Sequence, residues 1–308
     1  MSKDNQHYVP QGYLRKFTIK GEKSLIWGYD KTTGKIFKEP KSVRQICKEF
    51  QYYAQEDEDG NIEKERMENA FSQYVEDPGI KAINAIPDKA KCDFKLSGEN
   101  KGALAFFIAI LATRGPAFRD GVRELHKKVV LKAGALIIKK SIESGECPEI
   151  LKKEFEKKEL WDVLKVEVKN WVSLEPMVEM ARVGAGVILQ KKWSFFSPGK
   201  KSFFVTNDNP YVFNPPFRSD SPYNIGPFHP MATVIIPLRK NLVLVASYPT
   251  EQTQSEFSIE RASKKQTFKI NDSIIAAALR YIYAPVKSKQ ILKRVVELKA
   301  YSQKLRIA

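Results

Sequence analysis

The run ALAFFIAILA, residues 103–112, constrains the fold of this chain more than any other stretch. All ten residues are apolar, but a helix that spans a bilayer needs about 20 of them, so the run is about half long enough. We therefore predict a buried core helix over residues 99–114 and expect no membrane partner. Gly115 and Pro116 follow directly, and proline should end or kink the helix there.

The chain before this helix predicts a β-hairpin followed by helices. Residues 24–38, SLIWGYDKTTGKIFK, alternate apolar and polar residues around a turn-forming DKTTG. A short helix with Ser42 as its N-cap should follow in PKSVRQICKEF. Helical spacing of apolar residues predicts another helix from about 62, interrupted at Pro78–Gly79. Further helices should continue from 116 to about 190, with breaks near 145–148 and Pro176.

The composition changes after residue 190. Residues 192–217 and 232–247 are rich in aromatic and β-branched residues with Pro and Gly between them, which predicts antiparallel strands and loops. Helices are predicted again at 271–283 and at 287–305. This order predicts an α+β fold in a single domain, 1–308, with sub-parts at 1–60, 61–192 and 193–308.

Charge and cysteine content limit the partners and the compartment. The formal net charge is +16, which favours phosphate backbones or anionic surfaces but also serves simple solubility. Three scattered cysteines and a polar N-terminus without an apolar leader predict a cytoplasmic protein. Nucleic acid is thus the expected partner.

The stretch QHYVPQGYLRKF, residues 6–17, contains one of the three histidines, His7. Three interpretations stay open: a structural hydrogen bond from a partly buried imidazole, a metal ligand, and a catalytic or phosphate-contacting group. A near-neutral pKa suits proton transfer, whereas no second histidine has the spacing of a metal pair. Gln11 and Arg15, four residues apart, should project together from one helical turn and could hold an anion with His7.

Two further polar clusters follow apolar segments. In FFVTNDNPYVF, residues 203–213, a strand delivers Asp208 and Asn209 to a loop, where they could serve a site or merely cap the turn. In ATRGPAFRDG, Arg114 ends the apolar helix and Arg119 follows. A buried guanidinium needs a partner, which could be Asp208, Glu68 or a phosphate.

These three clusters together resemble DUF4238, an uncharacterised and mainly bacterial family. The likeness includes HYVPQGYLRKF, RGPAFR, TNDNP, VIIPLRKNLVLV and INDSIIAAALRYIYAP, in that order along the chain. It implies that the clusters meet in space, and it adds Asn271 and Arg280 to the candidate residues. Asn207 stands where a serine is expected and Arg239 where a small polar residue is usual. The resemblance implies no activity.

The leading hypothesis is a nuclease acting on RNA or DNA, of the kind used as a bacterial toxin or defence effector. His7 would transfer protons, Asp208 would be its partner or a cation ligand, and Gln11 would stabilise developing charge. The sequence identifies no cofactor, although a divalent cation such as magnesium would suit this chemistry. The expected substrate contacts are Arg15, Arg114, Arg119, Asn209, Asn271 and Arg280.

Three alternatives stay open. In the first, the chain binds nucleic acid or another partner without catalysis, and its His/Arg/Asp cluster is a structural network. In the second, Asp162 and the E-x-K triplet Glu167–Lys169 form a metal nuclease site on a strand. The third is a nucleotide- or NAD-processing enzyme, which the sequence does not favour because it has no glycine-rich phosphate loop.

Overall fold

The computed structural model describes residues 5–56, 59–149, 152–153, 166–214, 226–249 and 255–301. The α-helices in these ranges are α1 Gln11–Leu14, α2 Arg66–Phe71, α3 Asp77–Ala85, α4 Gly98–Thr113, α5 Pro116–Glu143, α6 Leu174–Gln190, α7 Lys264–Ala277 and α8 Lys289–Glu297. Single turns of 3-10 helix cover Arg15–Phe17, Val43–Gln45 and Asn170–Ser173, and Ser72–Glu76 is a π-helical turn.

The strands in the described ranges are β1 Asn5–His7, β2 Leu25–Asp30, β3 Lys35–Ile36, β4 Lys41–Ser42, β5 Lys48–Phe50, β6 Gln55–Glu56, β7 Ile62–Glu63, β8 Asp93–Lys95, β9 Lys191–Ser197, β10 Thr206–Asn207, β11 Val212–Asn214, β12 Thr233–Arg239, β13 Leu242–Pro249, β14 Glu256–Arg261 and β15 Tyr281–Ala284. The largest sheet has the order β11-β12-β13-β9-β14-β8. It is antiparallel except where β14 runs parallel to β9. A second sheet has the order β10-β15-β2-β3, with β4 also paired to β2. The fold is α+β, as the sequence predicts.

The core forms around α4, whose apolar side chains are buried almost without exception. This helix begins at Ser97, which accepts a hydrogen bond from the Asn100 N–H at 3.1 Å. It packs against α3 and α6. A Cβ at Gly79 on α3 would lie 2.5 Å from the Phe107 ring, so only glycine allows this close approach. The apolar run is therefore a core helix, as predicted.

Helix α4 meets α5 at a bend of 60°, in the place predicted from Gly115–Pro116. Pro116 occupies the start of α5, where its missing N–H costs nothing. No single helix in the described ranges has the length and apolar composition needed to cross a membrane. The bent pair α4 and α5 passes that test only when the two helices are taken together.

Several predicted boundaries were wrong. Pro78 and Gly79 do not interrupt a helix, because the π-helical turn Ser72–Glu76 continues into α3 and Pro78 lies in its first turn. The segment after Ser42 is a capped 3-10 turn, not an α-helix. The predicted helix 271–283 begins earlier, at Lys264, and ends at Ala277, while Tyr281–Ala284 is a strand. The hairpin at 24–38 is confirmed by β2 and β3.

Candidate functional site

His7 ends strand β1, opposite Lys48 on β5, and its side chain is buried. Its Nδ1 lies 3.5 Å from the Gln11 amide nitrogen, and its Nε2 has no hydrogen-bond partner in the described chain. Burial, with Lys48 and Arg114 nearby, lowers the pKa of His7 from 6.5 to about 4, against an opposing effect of the Val43 and Arg44 main chain. The imidazole is therefore neutral at pH 7.

Arg114, at the end of α4, is fully buried and uses its whole guanidinium group. Nε donates to the Tyr53 hydroxyl at 2.9 Å, Nη1 to the Glu76 carboxylate at 2.8 Å, and Nη2 to the main-chain oxygen of His7. The guanidinium also lies 5.1 Å from the centre of the Phe71 ring. Of the carboxylates in the described chain, Glu76 forms the ion pair with Arg114, and not Asp208 or Glu68, the two candidates considered from the sequence.

Glu68 lies near this group without pairing. Its Oε2 is buried and has no hydrogen-bond partner among the described residues. Burial raises the pKa of Glu68 to about 7, with Glu76 adding to the shift and Arg114 opposing it.

Arg119 is buried and satisfied in the same way. Nε donates to the Ser173 hydroxyl and Nη2 to the Asn170 carbonyl, both at 2.9 Å, and Nη1 donates to the Tyr52 carbonyl. The guanidinium stacks 4.0 Å from the centre of the Tyr52 ring. Each of the three guanidinium nitrogens of Arg119 therefore donates to the protein.

Asp208 accepts three main-chain hydrogen bonds, from the N–H groups of Leu279, Arg280 and Tyr281, at 2.8–2.9 Å. Burial raises the pKa of Asp208 to about 6, and the three N–H groups oppose that shift. Both carboxylate oxygens are occupied in holding the turn between α7 and β15. This arrangement suits a structural carboxylate better than a general base.

Asn209 brings the second and third clusters together. Its main-chain N–H donates to Asn207 Oδ1 at 2.8 Å and its amide to the Ala277 carbonyl at 3.3 Å. A Cβ on Gly115 would lie 3.8 Å from Asn209 Oδ1, so the Asp208–Asn209 loop adjoins the Gly115–Pro116 turn. The three clusters therefore adjoin in space, with Arg114 reaching His7 and Gly115 adjoining Asn209.

The remaining candidate arginines lie at the surface. Arg15 Nη2 is 3.4 Å from Gln11 Oε1, so this pair projects together as predicted. Arg280 is exposed, pairs with Asp30 at 2.9 Å and stacks 4.8 Å from the centre of the Tyr281 ring. Neither arginine is brought to the buried imidazole of His7 by a contact.

Sequence reasoning missed several members of the network. Gln6 is buried and accepts a hydrogen bond from the Tyr53 N–H. The Tyr52 hydroxyl donates to the Arg114 carbonyl at 2.8 Å, and the Tyr53 hydroxyl to the His7 carbonyl at 3.1 Å. The adjacent tyrosines at 52–53 were the available signal, because buried tyrosines require hydrogen-bond partners.

The alternative metal nuclease site at the E-x-K triplet does not lie on a strand. Glu167–Lys169 has no regular secondary structure, and Asp162 lies outside the described residues. Within the described ranges, no group of three or more His, Cys, Asp and Glu side chains is arranged to hold a metal ion. Arg239 donates to the carbonyls of Ile86 and Pro87 at 3.0 and 2.9 Å.

A surface pocket that is open to solvent lies between α7 and α8. It includes the candidate Asn271, whose amide donates to the Phe203 carbonyl at 2.9 Å and accepts from the Val205 N–H at 3.1 Å. The pocket combines apolar side chains with a polar and charged rim. Its lining residues are Lys201, Ser202, Phe203, Thr267, Phe268, Asn271, Asp272, Ile275, Ser288, Gln290, Ile291 and Arg294.

Two cationic side chains, Lys201 and Arg294, line this pocket, and the segments that carry its lining contain further cations. The three segments that line it, residues 199–203, 263–277 and 288–297, contain eight cationic residues and two carboxylates. Both carboxylates, Asp272 and Glu297, pair with Arg294. We call the cationic residues the basic face: Lys200, Lys201, Lys264, Lys265, Lys269, Lys289, Lys293 and Arg294.

The comparison with known proteins agrees with the motifs. The chain matches no curated protein and no solved structure. Residues 5–288 match the model of a family described as protein of unknown function, DUF4238. This match covers most of the 308 residues and includes all three polar clusters, so the chain belongs to the DUF4238 family.

Proposed function

We propose that this protein binds nucleic acid through the basic face without cleaving it, and that the cluster around His7, Arg114 and Asp208 maintains the fold. One observation carries the proposal: the three segments that line the pocket contain eight cationic residues, while their two carboxylates are already paired. The excess positive charge of such a surface can neutralise the charge of a phosphate backbone.

The position of two lysines supports a bound anion. Lys264 and Lys265 are the first residues of α7, where the helix dipole disfavours cations. Placing positive charge there lowers helix stability, so its presence is easier to explain by a ligand than by the fold. Both side chains are exposed and can reach phosphate oxygens.

The contacts of the two buried arginines argue against the nuclease hypothesis. A phosphate-binding arginine needs N–H groups aimed at the substrate, but Arg114 and Arg119 donate theirs to the protein. A general base must reach the proton it removes, and His7 is only 8% exposed. These contacts favour a structural role for the cluster.

The test measures the binding of labelled RNA and DNA by fluorescence anisotropy across a salt series. We expect Lys264→Gln/Lys265→Gln to weaken binding and to reduce the slope of log K against log salt by about 1.4 to 1.8, since each phosphate contact contributes roughly 0.7 to 0.9. The matched control, Lys127→Gln/Lys128→Gln on α5, removes the same charge from a different helix. Equal loss in both variants would indicate only non-specific attraction.

A cleavage assay tests the other half of the proposal. The labelled strands should stay intact with magnesium or manganese present. Cleavage by the wild-type protein that disappears in folded His7→Ala and Asp208→Ala variants would overturn the non-catalytic assignment and support the nuclease.

A further inference from the structure

We propose that the pocket between α7 and α8 takes one unstacked base of a single-stranded nucleic acid. This inference rests on the proposed function and adds which form of nucleic acid is bound and where its base lies.

The apolar lining of the pocket suits the flat face of a base. Phe268 on α7 is 43% exposed, although large aromatic side chains usually bury most of their surface. Phe203, Ile275 and Ile291 complete the apolar wall. Base–aromatic stacking tolerates any sequence, because every base has a π-face.

The wall of the pocket is fixed before any ligand arrives. Asn271, on α7, holds the segment Phe203–Val205 through two hydrogen bonds to its main chain. Gly199 N–H donates to the Thr267 hydroxyl at 2.9 Å, which holds the loop carrying Lys201. A preformed pocket loses little conformational entropy on binding.

Two cations line the pocket itself. Arg294 is held by Asp272 through two hydrogen bonds of 2.8 Å, so its planar guanidinium has a fixed orientation. Lys201 is exposed and can follow the phosphates on either side of an inserted base. The neighbouring lysines of the basic face extend this path along α7.

The backbone at Lys201 is left-handed, with φ at +58°, a conformation that favours glycine or asparagine over lysine. The Ser202 N–H closes this turn by donating to the Gly199 carbonyl at 2.9 Å, and the turn places Lys201 at the pocket.

The geometry also distinguishes single strands from duplexes. A base in a duplex is stacked and paired, so it can enter a pocket only after both interactions are broken. A free nucleotide lacks the adjoining phosphates that would contact the lysines. A single strand provides both the accessible base and the phosphates.

The first experiment compares labelled oligonucleotides of about 12 residues, within the usual site size, by anisotropy at one salt concentration. We expect the single strand to bind at least about tenfold more tightly than its duplex and than an abasic strand with the same phosphates, as expected for loss of one stacked base. A free nucleoside monophosphate should compete weakly. Equal binding of all three oligonucleotides would overturn base insertion.

Substitutions then assign the pocket. Phe268→Ala should lower single-strand affinity about tenfold and leave duplex binding unchanged, whereas Phe268→Trp should restore it. Unchanged single-strand affinity in Phe268→Ala would overturn the assignment of the base to this pocket.

Lys201→Gly separates a ligand contact from a structural role. Relief of the left-handed backbone should keep the melting temperature equal or raise it, while single-strand affinity falls. Lys91→Gly is the matched control, because Lys91 is exposed and also left-handed, at φ +57°, but does not line the pocket. Loss of affinity in both variants, or in neither, would contradict the role of Lys201.

These results separate the two proposals. Single-strand and duplex binding of equal strength, both reduced by Lys264→Gln/Lys265→Gln, would remove base insertion and leave nucleic-acid binding at the basic face. No binding of any oligonucleotide would overturn both.

Discussion

Two charged regions of this protein differ in how their charges are satisfied. Around Arg114, every guanidinium nitrogen has a protein partner and the side chain is fully buried. On the basic face, the cations outnumber the carboxylates and most project into solvent. A polar group with all its partners inside the protein supports the fold, whereas charge left in excess at a surface pocket is available to a ligand.

The sequence motifs suggest that the His7, Arg114 and Asp208 cluster binds the ligand, whereas this comparison favours the basic face. The polar residues most prominent in the sequence, His7, Arg114 and Asp208, are buried in contacts with the main chain. The basic face consists of lysines that look like an ordinary solvated surface in the sequence. Substitutions should therefore affect the first region through folding and the second through binding.

The largest expected effect is on the buried side. Arg114→Met removes the donor to Glu76 and to the Tyr53 hydroxyl, and one of the two donors to the His7 carbonyl. Removing one partner of a buried ion pair costs about 3–5 kcal/mol of unfolding free energy, which urea denaturation would measure. Arg123→Met is the control, because Arg123 pairs with the exposed Asp120 on α5 and should cost no more than about 1 kcal/mol. Equal losses of unfolding free energy in the two variants would contradict the distinction between buried and exposed charges.

The next effect is the pH dependence due to His7. Its pKa is about 4 in the folded protein against 6.5 ordinarily, so below pH 6.5 the unfolded chain takes up a proton that the folded chain does not. The contribution of His7 to the free energy of unfolding is therefore fully present above pH 6.5. It falls towards pH 4, by up to about 3 kcal/mol.

Urea midpoints between pH 4 and 8 would measure this dependence. His7→Asn should remove that part of the slope, whereas His126→Asn on α5 should retain it. The same slope in wild type and His7→Asn would mean that the imidazole is not held neutral by burial.

Features that depend on residues close together in the sequence could be predicted, and features that depend on distant contacts could not. The apolar run, the hairpin and the Gly115–Pro116 bend depend on neighbouring residues, and all three were predictable. The capping box of α7, Ser263 with Gln266, was present in the sequence as a start signal and was overlooked. By contrast, the pairing of Glu76 with Arg114 depends on the π-helical turn Ser72–Glu76. The spacing of apolar residues in the sequence does not predict such a turn.

The site shows the same limit. That the three clusters meet followed from the family resemblance, and a partly buried His7 and a buried Arg114 were among the interpretations. The burial of Asp208 was not, because its turn-forming neighbours suggest an exposed loop. The pocket depends on α7 and α8 packing together, and the wrong helix boundary at 271–283 placed the lysines at 264–265 outside any helix. The basic face could not be assembled from the sequence alone.

A smaller effect should come from the start of α7. Ser263 accepts a hydrogen bond from the Gln266 N–H at 3.1 Å while the Gln266 side chain accepts from the Ser263 N–H. Ser263→Ala should cost about 1 kcal/mol, measured by thermal or urea unfolding. Ser273→Ala in the same helix, an exposed hydroxyl bonded to the Lys269 carbonyl, should change stability by no more than about 0.5 kcal/mol. Equal costs would show that the capping box does not hold α7.

The smallest effect is expected from the basic face. Lys264→Gln/Lys265→Gln removes two cations from the start of α7, where the helix dipole opposes them. Unfolding free energy should therefore stay equal or rise by a few tenths of a kcal/mol to about 1, in urea titrations at low salt. High salt should erase the gain, because the charges are exposed and screened. A loss of more than about 1 kcal/mol would mean that these lysines stabilise the fold. The basic face would then be a second structural network and not an anion-binding site.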